Sequence, residues 1–160
     1  MADIAFLLLI FFLVTTTIDI DKGILHILPP YIEDVDIPEV KKKNVLEVNI
    51  NSADQLLVEG KLMQIEELRE MTERFLTNNG KDPNLSDSPQ KAIVSLKNDP
   101  RCSYDIYIQV QNEIKAAYRI VRDEASLDKY GRVFDELTAD ERDQIRDIYP
   151  MKFSEAEPEI

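Results

Sequence analysis

The N-terminal stretch Met1–Ile18, MADIAFLLLIFFLVTTTI, is apolar almost throughout, yet it carries one acid near its head, Asp3, and closes on three threonines. In water this segment would expose a phenylalanine and leucine surface that no soluble domain tolerates, so it has to be buried in protein or in lipid. We read it as a membrane helix. A spanning helix needs roughly 20 apolar residues at about 1.5 Å each. The run is slightly shorter, so residues ahead of Met1 are expected to complete the span and to carry the positive charges that set orientation. A secretory signal peptide fits less well. No Lys or Arg precedes the run, no small-x-small cleavage site follows it, and an acid stands where the apolar core should begin.

Two readings of Asp3 are open on the residues alone. In one it caps a helix start, meeting free N–H groups and the positive end of the dipole. In the other it lies inside the bilayer, where a charged carboxylate costs about 3 to 10 kcal/mol and is retained for ion or proton traffic. At about 1.5 Å per residue Asp3 is roughly 22 Å from the interface near Ile18, within a hydrocarbon core of about 30 Å. Asp3, Leu7, Ile10, Val14 and Thr17 recur at steps of four and three and so share one helix face. That stripe suits packing against other membrane helices, with Asp3 and Thr17 turned into a bundle or a water-lined path. A desolvated carboxyl there is able to hold and release a proton as its hydration changes.

The order of these residues, an acid, IAFLLLIFFLV and then TTT, resembles the membrane helix of the ExbD/TolR biopolymer-transport family, related in that helix to stator subunits of the MotB type. The resemblance implies that Asp3 is the proton-responsive residue. It implies a single-pass subunit of a bacterial inner-membrane motor, with its C-terminal domain in the periplasm. Two copies would sit within a ring of ExbB-, TolQ- or MotA-like multi-pass subunits. Proton passage would then drive a TonB-like or Tol-like partner, or attachment to peptidoglycan.

Composition bounds the rest of the chain. At 160 residues and 44% hydrophobic content, the part beyond the anchor suffices for one compact domain. A formal charge of -12 makes nucleic acid an improbable partner. Cys102 is the only cysteine and His26 the only histidine, so one chain can build no intrachain disulfide, histidine triad or Cys/His zinc site. Gly60 and Gly80 are single turn glycines, not a phosphate loop. Asp123, Glu124, Asp140, Glu141 and Asp143 read as solvated helix faces, and Ser86 and Ser88 lack a histidine base. No cofactor, metal or enzymatic activity is expected.

The fold expected is α+β: a transmembrane helix over residues 1–20, a linker over 21–43, a β-β-α-β-α external domain over 44–131, and a C-terminal helical extension with an acidic tail over 132–160. The linker, with Pro29, Pro30 and Pro38, disfavours helix. Ile24 to Leu28 and Val35 to Ile37 have the composition of short extended pieces. Lys41 to Lys43 reads as a solvated charge run. VLEVNI and QLLVEG form a hairpin across NSAD, and Leu62, Ile65, Leu68, Met71 and Phe75 mark a helix ending at Gly80. GKDPNLSDSPQ reads as an exposed loop, and AIVSLK as a strand. Tyr107, Val110, Ile114, Ala117 and Val121 mark a second helix, and the β-α-β order predicts a crossover with helices on one sheet face. Thr138 with Glu141 matches a capping box, followed by a helix with Ile145 and Ile148 on its apolar side. Glu155 to Ile160 is expected to be a disordered tail. The long loop and the ending YPMKFSEAEP resemble the longer, Bacteroidota-type members of the same family.

Overall fold

The computed structural model describes residues 2–15 and 40–156. The chain divides into two compact units, Met1–Asp36 and Ile37–Ile160. In the first, α1 (Ala2–Thr15) is apolar on every side. Ile4, Phe6 and Leu7 to Leu13 are all exposed large hydrophobics, and Phe11 and Phe12 meet edge-on at 6.4 Å between ring centroids. Among the described residues no helix is long and apolar enough to cross a membrane.

The second unit is a five-stranded sheet backed by helices. Its strands are β1 (Val45–Ile50), β2 (Leu56–Val58), β3 (Lys61–Met63), β4 (Ile93–Asn98) and β5 (Phe153–Ala156), in the order β3-β2-β1-β4-β5. The helices are α2 (Ile65–Thr77), α3 (Tyr104–Tyr130) and α4 (Ala139–Ile148). In β1, Leu46, Val48 and Ile50 are buried while Val45, Glu47 and Asn49 alternate with them on the opposite face. Leu68, Phe75 and Leu76 of α2 and Val110, Ile114 and Tyr118 of α3 join that buried set in one core. The alternation thus fixes which sheet face the helices cover. β1 runs antiparallel to β2 and parallel to β4, with Val45 opposite Ile93 and Ile50 opposite Asn98. A parallel neighbour needs a long crossover, which α2 and the loop after it supply.

The expected β-β-α-β-α order is incomplete by two strands. Leu62 belongs to β3, not to the α2 stripe, and is exposed. Glu59 and Gly60, both at positive φ (51° and 74°), make a two-residue turn that closes β2 onto β3. Positive φ at both central residues matches the right-handed twist of a hairpin. Helix α2 therefore starts only at Ile65, with Glu67 reaching back to accept the Gln64 N–H. The acidic end of the chain adds the other strand. Residues 153–156 form β5, parallel to β4, with Val94 opposite Phe153 and Lys97 opposite Ala156. Phe153 packs on the core, and the Glu155 carboxylate accepts from Tyr107 Oη at 2.6 Å and Gln111 Nε2 at 2.8 Å. Burial, followed by the neighbouring Glu155, pushes the Tyr107 phenol up to about 12.

The 80–90 loop also departs from expectation. Buried Asn78 donates to the carbonyls of Asp82 (3.0 Å) and Ser86 (2.8 Å) and accepts from the Asp82 N–H (2.8 Å). Fully buried Ser86 donates to the Phe75 carbonyl. These bonds satisfy the inward-facing backbone of the loop, so it is a fixed wall of the domain. Lys43, in the turn Lys42–Asn44, pairs with Asp87 of this loop and is not merely solvated.

The second long helix and the extension form as read. Ser103 caps α3, and Gly131, at φ 68°, ends it with its N–H on the Leu127 carbonyl. The Thr138–Glu141 capping box opens α4, whose Ile145 is fully buried. Arg122 holds the chain after α4 by donating twice to the Tyr149 carbonyl, at 3.1 and 2.9 Å.

Candidate functional site

Helix α1 places Asp3 in its first turn, exposed, with the aliphatic run following it. At 100° per residue Asp3, Leu7, Ile10 and Val14 fall within a narrow arc of the helix surface. Leu7 and Ile10 are exposed along that arc. Thr17 lies outside the described residues, as do His26 and the extended pieces expected at 24–28 and 35–37. The first-turn position brings Asp3 beside the free N–H groups of a helix start, which favour a carboxylate. From Ile4 to Leu13 no side chain of α1 is polar. A helix that is apolar all round is covered by other apolar matter in use, lipid or packed helices.

The other candidates carry structural work. Asp123 accepts the Phe134 N–H at 3.0 Å, Glu141 closes the α4 cap and pairs with Arg132, and Asp143 pairs with Arg146. Ser86 is engaged in the loop. Cys102 is half-buried beside the core, with Asn98 Nδ2 at 3.9 Å from its sulfur. Among the described residues no group of three His, Cys, Asp or Glu could hold a metal ion.

An all-round apolar helix with one acid in its first turn, attached to an α+β domain with helices on one sheet face, defines the class of this protein. The family model described as biopolymer transport protein ExbD/TolR matches residues 1–139. The chain belongs to that family, and its general role is biopolymer transport. The match takes in α1, the linker, four of the five strands, α2 and α3, and ends where α4 begins. No individual curated protein is significantly similar to the chain.

Proposed function

We propose that this protein is a proton-motive-force-coupled subunit of an inner-membrane motor of the ExbB/ExbD kind. It crosses the membrane once with its C-terminal domain in the periplasm. Two copies work within a ring of ExbB-, TolQ- or MotA-like subunits and drive a TonB-like or Tol-like protein for transport across the outer membrane. It is not an enzyme. The observation that carries this reading is the lone acid of α1, Asp3, set in an otherwise apolar helix inside the family match. A carboxyl facing a desolvated path takes up a proton from one side and releases it to the other as its hydration changes. Each charge crossing 100 mV is worth about 2.3 kcal/mol, so a few protons supply useful work. Leu7, Ile10, Val14 and Thr17 are the positions on the Asp3 face for packing against neighbouring helices.

Asp3→Asn tests it, because the amide keeps size and polarity but exchanges no proton. Energy-dependent uptake or envelope integrity in cells carrying this variant should fall to the level of cells lacking the protein, with membrane insertion unchanged. Asp3→Glu should retain partial activity. A second reading, a membrane-anchored binding or cell-wall attachment module without proton coupling, draws support from the first-turn position of Asp3, which suits a cap. It predicts full activity for Asp3→Asn.

A further inference from the structure

Strands β1, β4 and β5 are mutually parallel, so the residues that precede each of them collect at one end of the sheet. Those residues are rich in lysine. Lys41, Lys42 and Lys43 lead into β1, Lys91 stands two positions before Ile93, and Lys152 directly precedes Phe153. Hydrogen bonds fix the three segments to one another. The Lys152 carbonyl accepts the Val94 N–H at 3.0 Å, Lys152 Nζ donates to the Gln90 carbonyl at 2.6 Å, and Asn44 Oδ1 accepts the Asp87 N–H at 2.9 Å. Asp87 pairs with Lys43 and, at 3.8 Å, with Lys41. Glu59, which shares a surface hollow with Lys42 and Lys43, is occupied by the Glu47 N–H at 2.8 Å. Lys42, Lys91 and Lys152 are exposed and, among the described residues, make no ion pair.

The opposite end of the sheet has the reverse character. The turn after β1 carries Asp54, and the passage from β4 into α3 carries Asp99 and Asp105, with Arg101 already paired to Asp99. Of the acids in the segment before Lys152, Asp135, Glu141 and Asp143 pair with Arg119, Arg132 and Arg146. A chain of net charge -12 therefore carries a basic end. Apolar side chains are set among its lysines. Val40, 45% exposed, directly precedes Lys41, and Met151, 37% exposed, directly precedes Lys152. That pairing suits a bilayer interface, where the hydrocarbon enters the acyl boundary and the ammonium stays with the headgroups. The covalent path from α1 also enters the domain at this end, through residues 16–39. A tether of that length reaches up to about 80 Å, so attachment alone leaves the orientation of the domain open, while keeping its local concentration at the surface high.

We infer that this end of the sheet domain rests on an anionic lipid surface. Lys42, Lys91 and Lys152 meet phospholipid phosphates, and Val40 and Met151 meet the acyl boundary. The attraction acts within a Debye length, about 8 Å at physiological salt, so the resting contact is close and reversible. An acidic protein segment fits less well, because the lysines are spread over three neighbouring strands, about 10 Å across, a spacing that suits several independent headgroups. The inference rests on the reading of α1 as a membrane helix and is independent of proton transfer at Asp3.

The test places the full, isotope-labelled chain in lipid nanodiscs of phosphatidylcholine alone or of an equal mixture with phosphatidylglycerol, each doped with a gadolinium-chelate lipid. In the anionic discs, relaxation enhancement should be strongest at the backbone amides of 41–43, 91 and 151–152 and weak at 52–54 and 99–105. Neutral discs, or about 0.5 M salt, should abolish that contrast. The double variant Lys42→Glu with Lys91→Glu should reduce the enhancement to the neutral-disc level with an unchanged melting temperature, since neither lysine has a partner to lose. Met151→Ser should reduce it in part, and Asp3→Asn should behave as the parent does. Equal enhancement in both disc types, an undiminished effect in the double variant, or enhancement centred on α4 or on 99–105 would overturn the inference while the chain stays in the discs. So would lysine amides that shift with soluble polyglutamate and not with anionic lipid. A chain that does not remain with the discs would overturn the membrane reading of α1 and this inference with it.

Discussion

Glu73 is half-buried on α2, and its carboxyl is pushed above the usual carboxylate range, first by burial and then by the negative charge of Glu124, with Arg69 pulling the other way and Glu70 adding a smaller push. A folded-state value above the unfolded one means that the folded chain binds the proton more readily. Ionised Glu73 therefore costs stability at neutral pH, and that cost disappears as pH falls through the folded value. Glu73→Gln should raise the melting temperature at pH 7 and lose its advantage near pH 4, as thermal scans at the two values will show. An equal gain at both would attribute the effect to packing. Single residues were legible in the sequence where chemistry isolates them. Asp3 is the only charge in an apolar run, and Thr138 with Glu141 forms a local pair whose partners lie three residues apart. Asn78 and Ser86 were not legible, because their partners are backbone groups that only the folded loop brings within reach.

Among the elements, α2 and α3 could be read because their apolar residues repeat over several turns. β3 could not, because it is three residues long and Leu62 stands three before Ile65, mimicking a helical step. β5 was hidden for a different reason. Its partner, β4, lies more than fifty residues earlier, and its acidic setting reads as a tail until Glu155 meets Tyr107 and Gln111. The basic end of the sheet was equally hidden, its lysines being drawn from three separate segments. Asn78→Ala removes three hydrogen bonds and leaves the Asp82 N–H without its acceptor, while the Ser86 and Asp82 carbonyls keep the Gly80 and Leu85 N–H groups. A polar group so orphaned costs about 1–3 kcal/mol. The variant should lose about that much in urea unfolding of the full chain, and its amides at 82–87 should exchange faster than those of α3. Retained protection there would show that the loop is held by other contacts. Ile145→Ala, by contrast, opens a hole under α4 and should cost about 2–5 kcal/mol while leaving loop exchange unchanged.

For the whole molecule, charge sets the response to pH. Three surface carboxylates have folded values below their ordinary range: Asp87 through Lys43, Asp99 through Arg101, and Glu141 through the Thr138 backbone N–H. A depressed group contributes stability that is present above its unfolded value and lost as pH falls through the folded one. These groups are constant between pH 7 and 5 and fail below about 4, the unfolded carboxylate range. Two effects act the other way in the upper window. The cost of ionised Glu73 lessens as the pH falls toward its raised folded value, and the chain moves from -12 toward neutrality near its isoelectric point of about 4.5, which relaxes self-repulsion. Stability should therefore rise modestly from pH 7 to about 5 and drop steeply below about 4, tracked by urea midpoints from tyrosine circular dichroism at constant ionic strength. Added salt screens the repulsion between exposed charges, so it should flatten the rise and leave the acid limb in place. A steady decline from pH 7 to 5 would mean that the ion pairs of Asp87, Asp99 and Glu141 outweigh the repulsion of a strongly acidic chain.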